Sequence, residues 1–358
     1  MIKQNKKNDN SPPVHYRNYI FIILLIIFIF FLPKNLLKKR NILFNKKFLN
    51  YINETNNENK DIKKNNFDIN FRYDKYESSL LTDKIKKKSG WMLGLSEAKF
   101  INGLIRKRKP KNCLEIGVAN GGSAILILNA IKDINNSCLV SLDLNNQVFF
   151  NISKKVGYRV NEYFPELSKN WKLFTGDQPH KFLVKLNMKF DFLFLDSAHL
   201  TPGELINFIE ALPFLNENAI VVIHDILWHF GKTIKIYPSN IYLFPAIYGD
   251  KILLTNNGRH ISNTGAVFLY PNQKNHYLDY FLLLLNLWEY MPTDAQIHDL
   301  RIFIKDYYKN SFYLELFNDA VKNNKISIKN YMRTYNLINN KEYIKRLEHI
   351  IVKDKSKN

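Results

Sequence analysis

Apolar runs of strand length alternate with amphipathic segments through the middle of the chain. The intervening segments show helical periodicity most clearly at residues 123–131 and 202–212. Such alternation predicts a parallel sheet covered by helices on both faces. Two further runs, 251–255 and 265–270, can complete that sheet. We therefore predict an α/β fold with a doubly wound, mostly parallel, Rossmann-like sheet over residues 91–272. The five principal runs span residues 113–118, 138–144, 171–174, 190–195 and 219–223.

An apolar run near the N terminus, residues 19–32, carries no charged side chain and predicts a membrane anchor. As a helix it would span about 21 Å, less than the roughly 30 Å of a hydrocarbon core, and its flanks extend it to residues 19–37. The alternatives are a helix lying in the membrane interface, a misassigned start, or a cleaved signal peptide, although no small-residue cleavage pattern follows Leu32. Lys and Arg are more numerous after the run, which predicts a single-pass membrane protein with its main domain in the cytoplasm.

Polar and helical segments flank these features. Residues 1–18 are basic, residues 38–90 form a polar linker rich in Asn and Lys, and residues 273–358 form a helical C-terminal extension. The chain has 52 Lys and Arg against 32 Asp and Glu, a net charge of +20. Residues 1–64 contain 13 of the Lys and Arg and 4 of the Asp and Glu, so +9 of this charge precedes the predicted sheet. Because no basic stripe is interleaved with aromatic side chains, we expect no nucleic-acid partner. The two cysteines make neither a disulfide framework nor a zinc site and indicate a reducing compartment.

A glycine-rich turn follows the first apolar run. Glu115 lies near the end of the run, and Gly117, Gly121, Gly122 and Ser123 follow it. Ligands of open α/β sheets bind at the carboxyl ends of strands, and glycines allow the backbone to approach them closely. The G-x-x-x-G-G spacing lacks the G-x-G-x-x-G fingerprint of dinucleotide sites. An acid before the first glycine would repel a pyrophosphate and favours a cationic ligand with an amino-acid end. An ordinary strand-to-helix turn is the structural alternative.

Acidic residues also end the next two predicted strands. Asp143 lies 26 residues after Gly117 and is placed to accept both hydroxyls of a ribose. Asp177 is placed to accept from an adenine amino group. Each acid alone is more typical of a helix cap or a turn. With Glu115 as the first, three acids at three successive strand ends together favour a site for a nucleoside-containing ligand.

Two aspartates and two histidines mark the ends of the fourth and fifth strands, namely Asp196, His199, His224 and Asp225. Adjacent parallel strands lie about 4.8 Å apart, so these side chains can converge on one ligand. A divalent cation held by Asp196 and Asp225 would polarise a hydroxyl group, and His199 would remove its proton near neutral pH. The alternative is a polar cluster buried beneath loops.

The runs around these residues resemble motifs of a known family. Residues 113–123, C-L-E-I-G-V-A-N-G-G-S, look like the first motif of class I S-adenosylmethionine-dependent methyltransferases. Residues 190–199, F-D-F-L-F-L-D-S-A-H, and residues 223–225, I-H-D, resemble the fourth- and fifth-strand motifs of one branch of that family. The branch includes metal-dependent sugar O-methyltransferases and cephalosporin-hydroxylase-like proteins. The resemblance covers roughly residues 90–270.

The resemblance implies a role for each matching residue. S-adenosylmethionine would be the cofactor, a small molecule such as a sugar or glycan precursor would be the acceptor, and His199 would be the general base. Asp196 and Asp225 would hold a divalent metal, with His224 either as a further ligand or hydrogen bonded to Asp225. The residues implied for the cofactor are Glu115, Gly117, Gly121, Gly122 and Ser123 for the methionine part, Asp143 for the ribose, Asp177 for the adenine region, and Asp196.

His224 is a departure from the branch, whose metal-dependent members have a carboxylate at that position. Imidazole is a poor magnesium ligand and suits manganese, iron or zinc better, so a site without metal is also open. The sequence therefore leaves two functions open, an O-methyltransferase and a membrane-tethered binding protein that keeps the fold without turnover. The presence of Asp196 and His199 favours the enzyme. The sequence does not specify an oligomeric state.

Overall fold

The computed structural model describes residues 83–90, 93–226, 239–256 and 260–334. The predicted basic segment, the predicted anchor at residues 19–37 and most of the predicted linker lie outside the described residues, so the anchor stays a prediction. Within the described part of the chain, no helix is long and apolar enough to cross a membrane.

The described residues form a seven-stranded sheet and a separate two-stranded hairpin. In chain order the strands are β1 (Asn112–Ile116), β2 (Cys138–Asp143), β3 (Gln147–Val148), β4 (Asn151–Lys155), β5 (Trp171–Thr175), β6 (Phe190–Leu195), β7 (Leu215–Ile223), β8 (Gly249–Asn256) and β9 (His260–Leu269). The sheet has the order β5-β2-β1-β6-β7-β9-β8, and β3 pairs with β4. Strand β9 runs antiparallel to both of its neighbours, β7 and β8, whereas the other pairs in the sheet are parallel.

The path of the chain through the sheet reverses direction at β1. From β1 the chain moves to β2 and then to β5 at one edge, and it returns to β6 on the other side of β1 before reaching β7. The carboxyl ends of β1 and β6 therefore form a topological switch point, where open α/β sheets bind their ligands. This mostly parallel sheet with flanking helices confirms the predicted architecture, with β9 as its reversed strand.

Helices flank the sheet and make up the C-terminal extension. In chain order the described α-helices are α1 (Asp83–Lys88), α2 (Leu95–Arg108), α3 (Gly122–Ile131), α4 (Tyr158–Tyr163), α5 (Pro179–Leu186), α6 (Gly203–Ala211), α7 (Ser239–Ala246), α8 (Tyr277–Leu283), α9 (Asp294–Tyr308) and α10 (Ser311–Thr334). Helices α8 to α10 make the C-terminal extension helical through residue 334. Shorter 3-10 turns occur at Pro165–Asn170, Leu212–Phe214 and Gln273–His276.

Helix α3 lies inside the core and holds the glycine turn in place. Its sequence, G-S-A-I-L-I-L-N-A-I, is apolar on nearly every side, and residues 124–131 are each exposed by 4% or less. A helix that is apolar all round must be covered all round. Here α2 packs over α3 through Phe100, Ile101, Leu104 and Ile105, a face with helical spacing. Because α3 begins directly after the turn, its burial fixes where the turn lies relative to β1.

Candidate active site

A cavity of about 630 Å³ opens at the carboxyl ends of the parallel strands, within the size range of small-molecule sites. Its walls come from the glycine turn after β1, from the ends of β2, β6 and β7, and from helix α6. The C-terminal extension contributes a further wall through Tyr290, Pro292, Gln296 and Leu300. The cavity therefore lies at the switch point of the sheet.

The glycine turn approaches the end of β6 closely. Gly117 has a φ of +93°, and a methyl group built on it would lie 1.8 Å from the carbonyl oxygen of Asp196. Gly121 has the same φ, and Ala119 between them adopts +47°. Glycine at position 117 is therefore required by both the backbone conformation and the contact with Asp196. Gly117, Gly122 and Ser123 line the cavity.

Glu115 lies beneath the glycine turn, is fully buried, and does not belong to the residues that line the cavity. Its carboxylate accepts hydrogen bonds from Ser123 Oγ at 2.5 Å and from Ser141 Oγ at 2.6 Å, and Trp171 Nε1 donates to Ser141 Oγ. Burial raises the pKa of Glu115 to about 7, although the two hydroxyls act to lower it. Glu115 therefore links the start of α3 to β1 and β2 from behind the turn.

Asp143 supports the turn from the end of β2 and lines the cavity. Its Oδ2 accepts the backbone N–H groups of Val118 and Ala119 at 2.9 and 3.1 Å, and its Oδ1 accepts the N–H of Asn145 at 2.9 Å. Burial raises the pKa of Asp143 against the opposing effect of these hydrogen bonds. Each carboxylate oxygen has two acceptor positions, so the group still has capacity for a ligand hydroxyl.

Asp177 lies at the surface after β5. Its side chain is 43% exposed and pairs with Lys181 at 3.0 Å, and it is outside the cavity lining. The neighbouring residue Gln178 lines the cavity instead and is 6% exposed. The sequence analysis selected Asp177 because it is acidic. In the structure the chain turns between Asp177 and Gln178, so the Gln178 amide is the group at the cavity wall.

Asp196, His199 and Asp225 come together at the ends of β6 and β7. His199 Nε2 lies 3.4 Å from Asp196 Oδ1 and 3.5 Å from Asp225 Oδ2. One ligand atom from each of the three residues can be chosen so that all lie within 4.8 Å of one another. His199 and Asp225 have φ values of +54° and +53°, a conformation that is uncommon for residues other than glycine and is often found at functional sites.

His224 lies between carboxylates, an arrangement that the sequence did not predict in full. Its Nδ1 is 3.1 Å from Asp196 Oδ1 and 3.5 Å from Asp225 Oδ1, and its Nε2 is 3.6 Å from Glu97 Oε2. Burial alone would lower the pKa of His224, but the charges of Asp196, Glu97 and Asp225 outweigh it and raise the pKa to about 11. His224 is therefore an imidazolium whose two N–H groups both face carboxylates.

The pKa values of the carboxylates around His224 shift in different directions. Burial would raise the pKa of Glu97, but contacts with His224 and the Gly94 N–H lower it to about 2. The pKa of Asp196 is lowered by His224 against the effect of burial. Burial raises the pKa of Asp225 to about 6, with His199 and His224 opposing it. Glu97 on α2 was missed because an acid in the first turn of a helix is ordinarily read as part of its cap.

Two buried glutamates hold the loop that carries His199. Glu204 at the start of α6 is fully buried, and its Oε1 accepts the backbone N–H of His199. Glu289 in the C-terminal extension accepts the Thr201 N–H at 2.7 Å, and its own N–H donates to the Thr201 carbonyl at 2.8 Å. The loop is thus fixed from both sides, which supports the unusual backbone conformation of His199.

Comparison with known proteins supports this arrangement at the level of the domain. Residues 114–226 match a family model described as a methyltransferase domain. No curated protein matches the sequence. The matched residues contain the glycine turn, Asp143, Asp196, His199 and Asp225, whereas Glu97, Glu289 and the wall from the C-terminal extension lie outside the match.

Similar solved structures include several methyltransferases. The O-methyltransferase TomG from Streptomyces achromogenes, in complex with S-adenosylmethionine, is 18% identical over 55% of this chain and 95% of its own, with a TM-score of 0.41. An O-methyltransferase from Bacillus cereus, in complex with S-adenosylhomocysteine, is 16% identical over 54% of this chain and 91% of its own, with a TM-score of 0.41. The Podospora anserina methyltransferase PaMTH1, bound to S-adenosylhomocysteine, is 17% identical over 64% and 97%, with a TM-score of 0.39.

Residues 114–226, which include the glycine turn at the switch point, are therefore similar to a methyltransferase domain.

Proposed function

We propose that the chain transfers a methyl group from S-adenosylmethionine to a hydroxyl oxygen of a small-molecule acceptor, with a sugar or glycan precursor as the first candidate. The observation that carries the proposal is the convergence of His199, Asp196 and Asp225 on a cavity that the glycine turn also lines. A hydroxyl acceptor needs a base, because its proton must leave as the methyl group arrives. His199 is the group placed to take that proton.

The cofactor would lie across the switch point. Its methionine part would meet the turn around Gly117 and Gly122, and a ribose hydroxyl would meet the remaining acceptor position of Asp143 on Oδ1. When bound, S-adenosylmethionine supplies a methyl group on a positively charged sulfur. The carboxylates of Asp143 and Asp196 line the same cavity and favour a cation there.

His199 is oriented for proton transfer by the carboxylates around it. Its Nδ1 faces Glu204 Oε1 at 3.5 Å, and its Nε2 faces Asp196 and Asp225. A hydrogen on Nδ1 directed to Glu204 leaves Nε2 as the proton acceptor. With S-adenosylmethionine supplying the methyl group and leaving as S-adenosylhomocysteine, His199 Nε2 would take the proton of the acceptor hydroxyl. The remaining rate enhancement would come from in-line positioning of the two bound molecules.

A divalent cation fits this site through oxygen ligands. Asp196 and Asp225 would supply carboxylates, and Asn263 Nδ2 donates a hydrogen bond to Asp225 Oδ1 that orients this carboxylate. His224 is engaged on both nitrogens by carboxylates and would act as a resident positive charge beside the ligands. When bound, the cation would polarise the acceptor hydroxyl and lower its pKa. The oxygen-rich set favours magnesium or manganese.

The test measures methyl transfer from labelled S-adenosylmethionine to a panel of free and nucleotide-linked sugars. His199→Ala should lower turnover by roughly a hundredfold to ten-thousandfold, the range for a lost general base, with the affinity for S-adenosylhomocysteine nearly unchanged. His298→Ala, at an exposed histidine on α9, is the matched control and should retain full turnover. Undiminished turnover in His199→Ala would refute the base. Cofactor binding without transfer to any acceptor would favour the binding-protein alternative.

Metal use is tested separately by exhaustive chelation followed by addition of magnesium, manganese or zinc. If Asp196 and Asp225 hold a cation, turnover should fall in chelator and return with magnesium or manganese. Full turnover in chelator would remove the metal from the proposal and leave His199 as the base, with the His224 imidazolium as a fixed positive charge beside it.

A further inference from the structure

The hairpin of β3 and β4 ends in an apolar turn beside the cavity. Val148 pairs with Asn151 across the hairpin, so Phe149 and Phe150 form the two-residue turn between the strands. Turns of this length usually contain glycine, asparagine or aspartate, because these residues adopt the required backbone conformations most easily. Phe149 also lines the cavity. The turn therefore carries two aromatic side chains that its own conformation does not call for.

Residues 149–152, the hairpin tip, expose apolar side chains to solvent. Phe149, Phe150 and Ile152 are 42%, 50% and 72% exposed, and the two phenylalanine rings meet edge to face with their centres 4.9 Å apart. A single exposed apolar side chain is ordinary on a protein surface. Three of them within four consecutive positions form a contiguous patch, which points to a partner that covers it.

The size of the hairpin tip favours a lipid surface over another protein. An aromatic side chain offers about 150–250 Å² when fully exposed, so the exposed parts of the three side chains amount to roughly 300 Å². A stable protein interface covers about 800 Å² on each partner. A bilayer needs no matching shape, so a short apolar tip can enter its headgroup boundary and be covered there.

The charges of the hairpin suit an anionic surface. Its residues 147–155 contain no aspartate or glutamate and end in Lys154 and Lys155. Lys154 pairs with Glu162 at 2.6 Å, whereas the side chain of Lys155 is exposed. Lysines beside an apolar tip can lie among anionic headgroups while the apolar side chains enter the bilayer.

Helix α1 adds positive charge beside the same part of the chain. Helix α4 follows the hairpin directly, and Arg159 Nη1 on α4 donates a hydrogen bond to the Lys88 carbonyl of α1 at 2.8 Å. Lys87 and Lys88 at the end of α1 are both exposed. Exposed lysines of this kind are attracted to bilayers that contain anionic lipids.

We propose that the hairpin tip inserts Phe150 and Ile152 into the headgroup boundary of an anionic bilayer, with Lys155 and the α1 lysines against the headgroups. This contact is independent of methyl transfer and of the anchor predicted at residues 19–37, which lies outside the described residues. Because Phe149 lines the cavity, the contact would hold the cavity close to the lipid surface.

The test attaches an environment-sensitive fluorophore to the full chain at Ser153→Cys, an exposed position next to Ile152. The chain is added to vesicles of phosphatidylcholine and phosphatidylserine that contain a spin-labelled lipid as quencher. Ser311→Cys, at an exposed serine that begins α10, is the matched control. Unsubstituted chain taken through the same labelling gives the background from Cys113 and Cys138. We expect quenching at position 153 and none at position 311.

The local readout gives the ratio of inserted to exposed hairpin tip, whether or not another segment also holds the chain on the vesicle. Phe150→Ser combined with Ile152→Ser should lower this ratio about tenfold or more, because it removes most of the apolar area of the tip. Lys155→Gln should lower it about fivefold, and so should omission of phosphatidylserine. These three residues do not line the cavity, so unchanged affinity for S-adenosylhomocysteine verifies that the variants are folded.

Three results would overturn the membrane contact while leaving the proposed function intact. The first is equal quenching, or none, at positions 153 and 311. The second is quenching at position 153 that persists without Phe150 and Ile152. The third is a fluorescence change that follows protein concentration in the absence of vesicles, because a second copy of the chain would then cover the hairpin tip.

Discussion

Replacing Gly117 by alanine tests whether the glycine turn is held against the end of β6. Gly117 and Gly121 both have φ of +93°, so alanine has the same backbone conflict at either position. The two positions differ in their surroundings. A methyl group at 117 would lie 1.8 Å from the Asp196 carbonyl oxygen, whereas at 121 it would lie 3.0 Å from Gly157 Cα. Gly121→Ala is therefore the matched control for the backbone conformation.

The expected magnitudes follow from these two contacts. A left-handed conformation costs a residue other than glycine about 1–2 kcal/mol, and both variants share this term. At position 121 the neighbouring backbone must move by a few tenths of an ångström, so the total should stay near 1–2 kcal/mol. At position 117 the backbone of Asp196 itself must move, and overpacking of this kind adds about 1–3 kcal/mol. We expect Gly117→Ala to lose about 2–5 kcal/mol of unfolding free energy.

The assay is urea unfolding of both variants beside the wild type, with S-adenosylhomocysteine affinity measured on the folded protein. Gly117→Ala should also bind the ligand more weakly than Gly121→Ala, because it displaces Asp196, and Gly117 and Asp196 both line the cavity. Equal destabilisation of the two variants would show that only backbone conformation matters at position 117. The close approach of the turn to β6 would then play no part in stability, contrary to the reasoning above.

Two further predictions concern buried carboxylates. The folded-state pKa of Glu115 is about 7 against a usual value of 4.5, so its contribution to stability is present below pH 4.5 and is lost as the pH rises through 7. Glu115→Gln keeps an acceptor for Ser123 or Ser141 and does not titrate. Between pH 4.5 and 7 the unfolding free energy of the wild type should therefore fall by about 3 kcal/mol relative to this variant. If chemical denaturation gave parallel pH profiles for the two proteins, the prediction would be wrong. Glu289→Ala removes the acceptor for the Thr201 N–H and should lower unfolding free energy by about 1–3 kcal/mol, with turnover reduced and cofactor affinity retained. Glu289→Gln preserves an acceptor oxygen and should restore most of the unfolding free energy and most of the turnover. If Glu289→Gln were as impaired as Glu289→Ala, the charge of Glu289 and not its hydrogen bond would be the cause.

The sheet and its glycine turn were predictable because their causes are local. Continuous apolar runs follow from burial on both faces of a parallel strand, and amphipathic segments follow from helices with one covered face. The strand at Cys138–Asp143 and the helix at Gly122–Ile131 therefore lie close to the predicted runs. The hairpin of β3 and β4 was not predicted, since Gln147–Val148 and Asn151–Lys155 are short and largely polar.

The aspartates and histidines at the ends of β6 and β7 could also be placed near one another from sequence. Parallel neighbours bring their carboxyl ends to the same edge, so Asp196, His199 and Asp225 could be expected to meet. The residues that contact this group from other elements could not be predicted from the sequence. Glu97 reaches His224 from α2, 127 positions earlier in the chain, and Glu289 reaches Thr201 from the C-terminal extension. Such contacts depend on how helices pack against the sheet, which no local pattern records.

The direction of each side chain at a strand end was likewise decided by the tertiary structure. Glu115 and Asp143 both end strands that adjoin the cavity, yet Glu115 turns to the serines beneath the glycine turn and Asp143 turns to the cavity wall. Asp177 pairs with Lys181 at the surface while Gln178 beside it is buried. The sequence by itself determined which residue types gather at this edge of the sheet, because the strand ends follow from the apolar pattern and parallel strands end at one edge. Only packing decided which of them face the ligand, because a single rotation of the chain past a strand end exchanges a buried side chain for an exposed one.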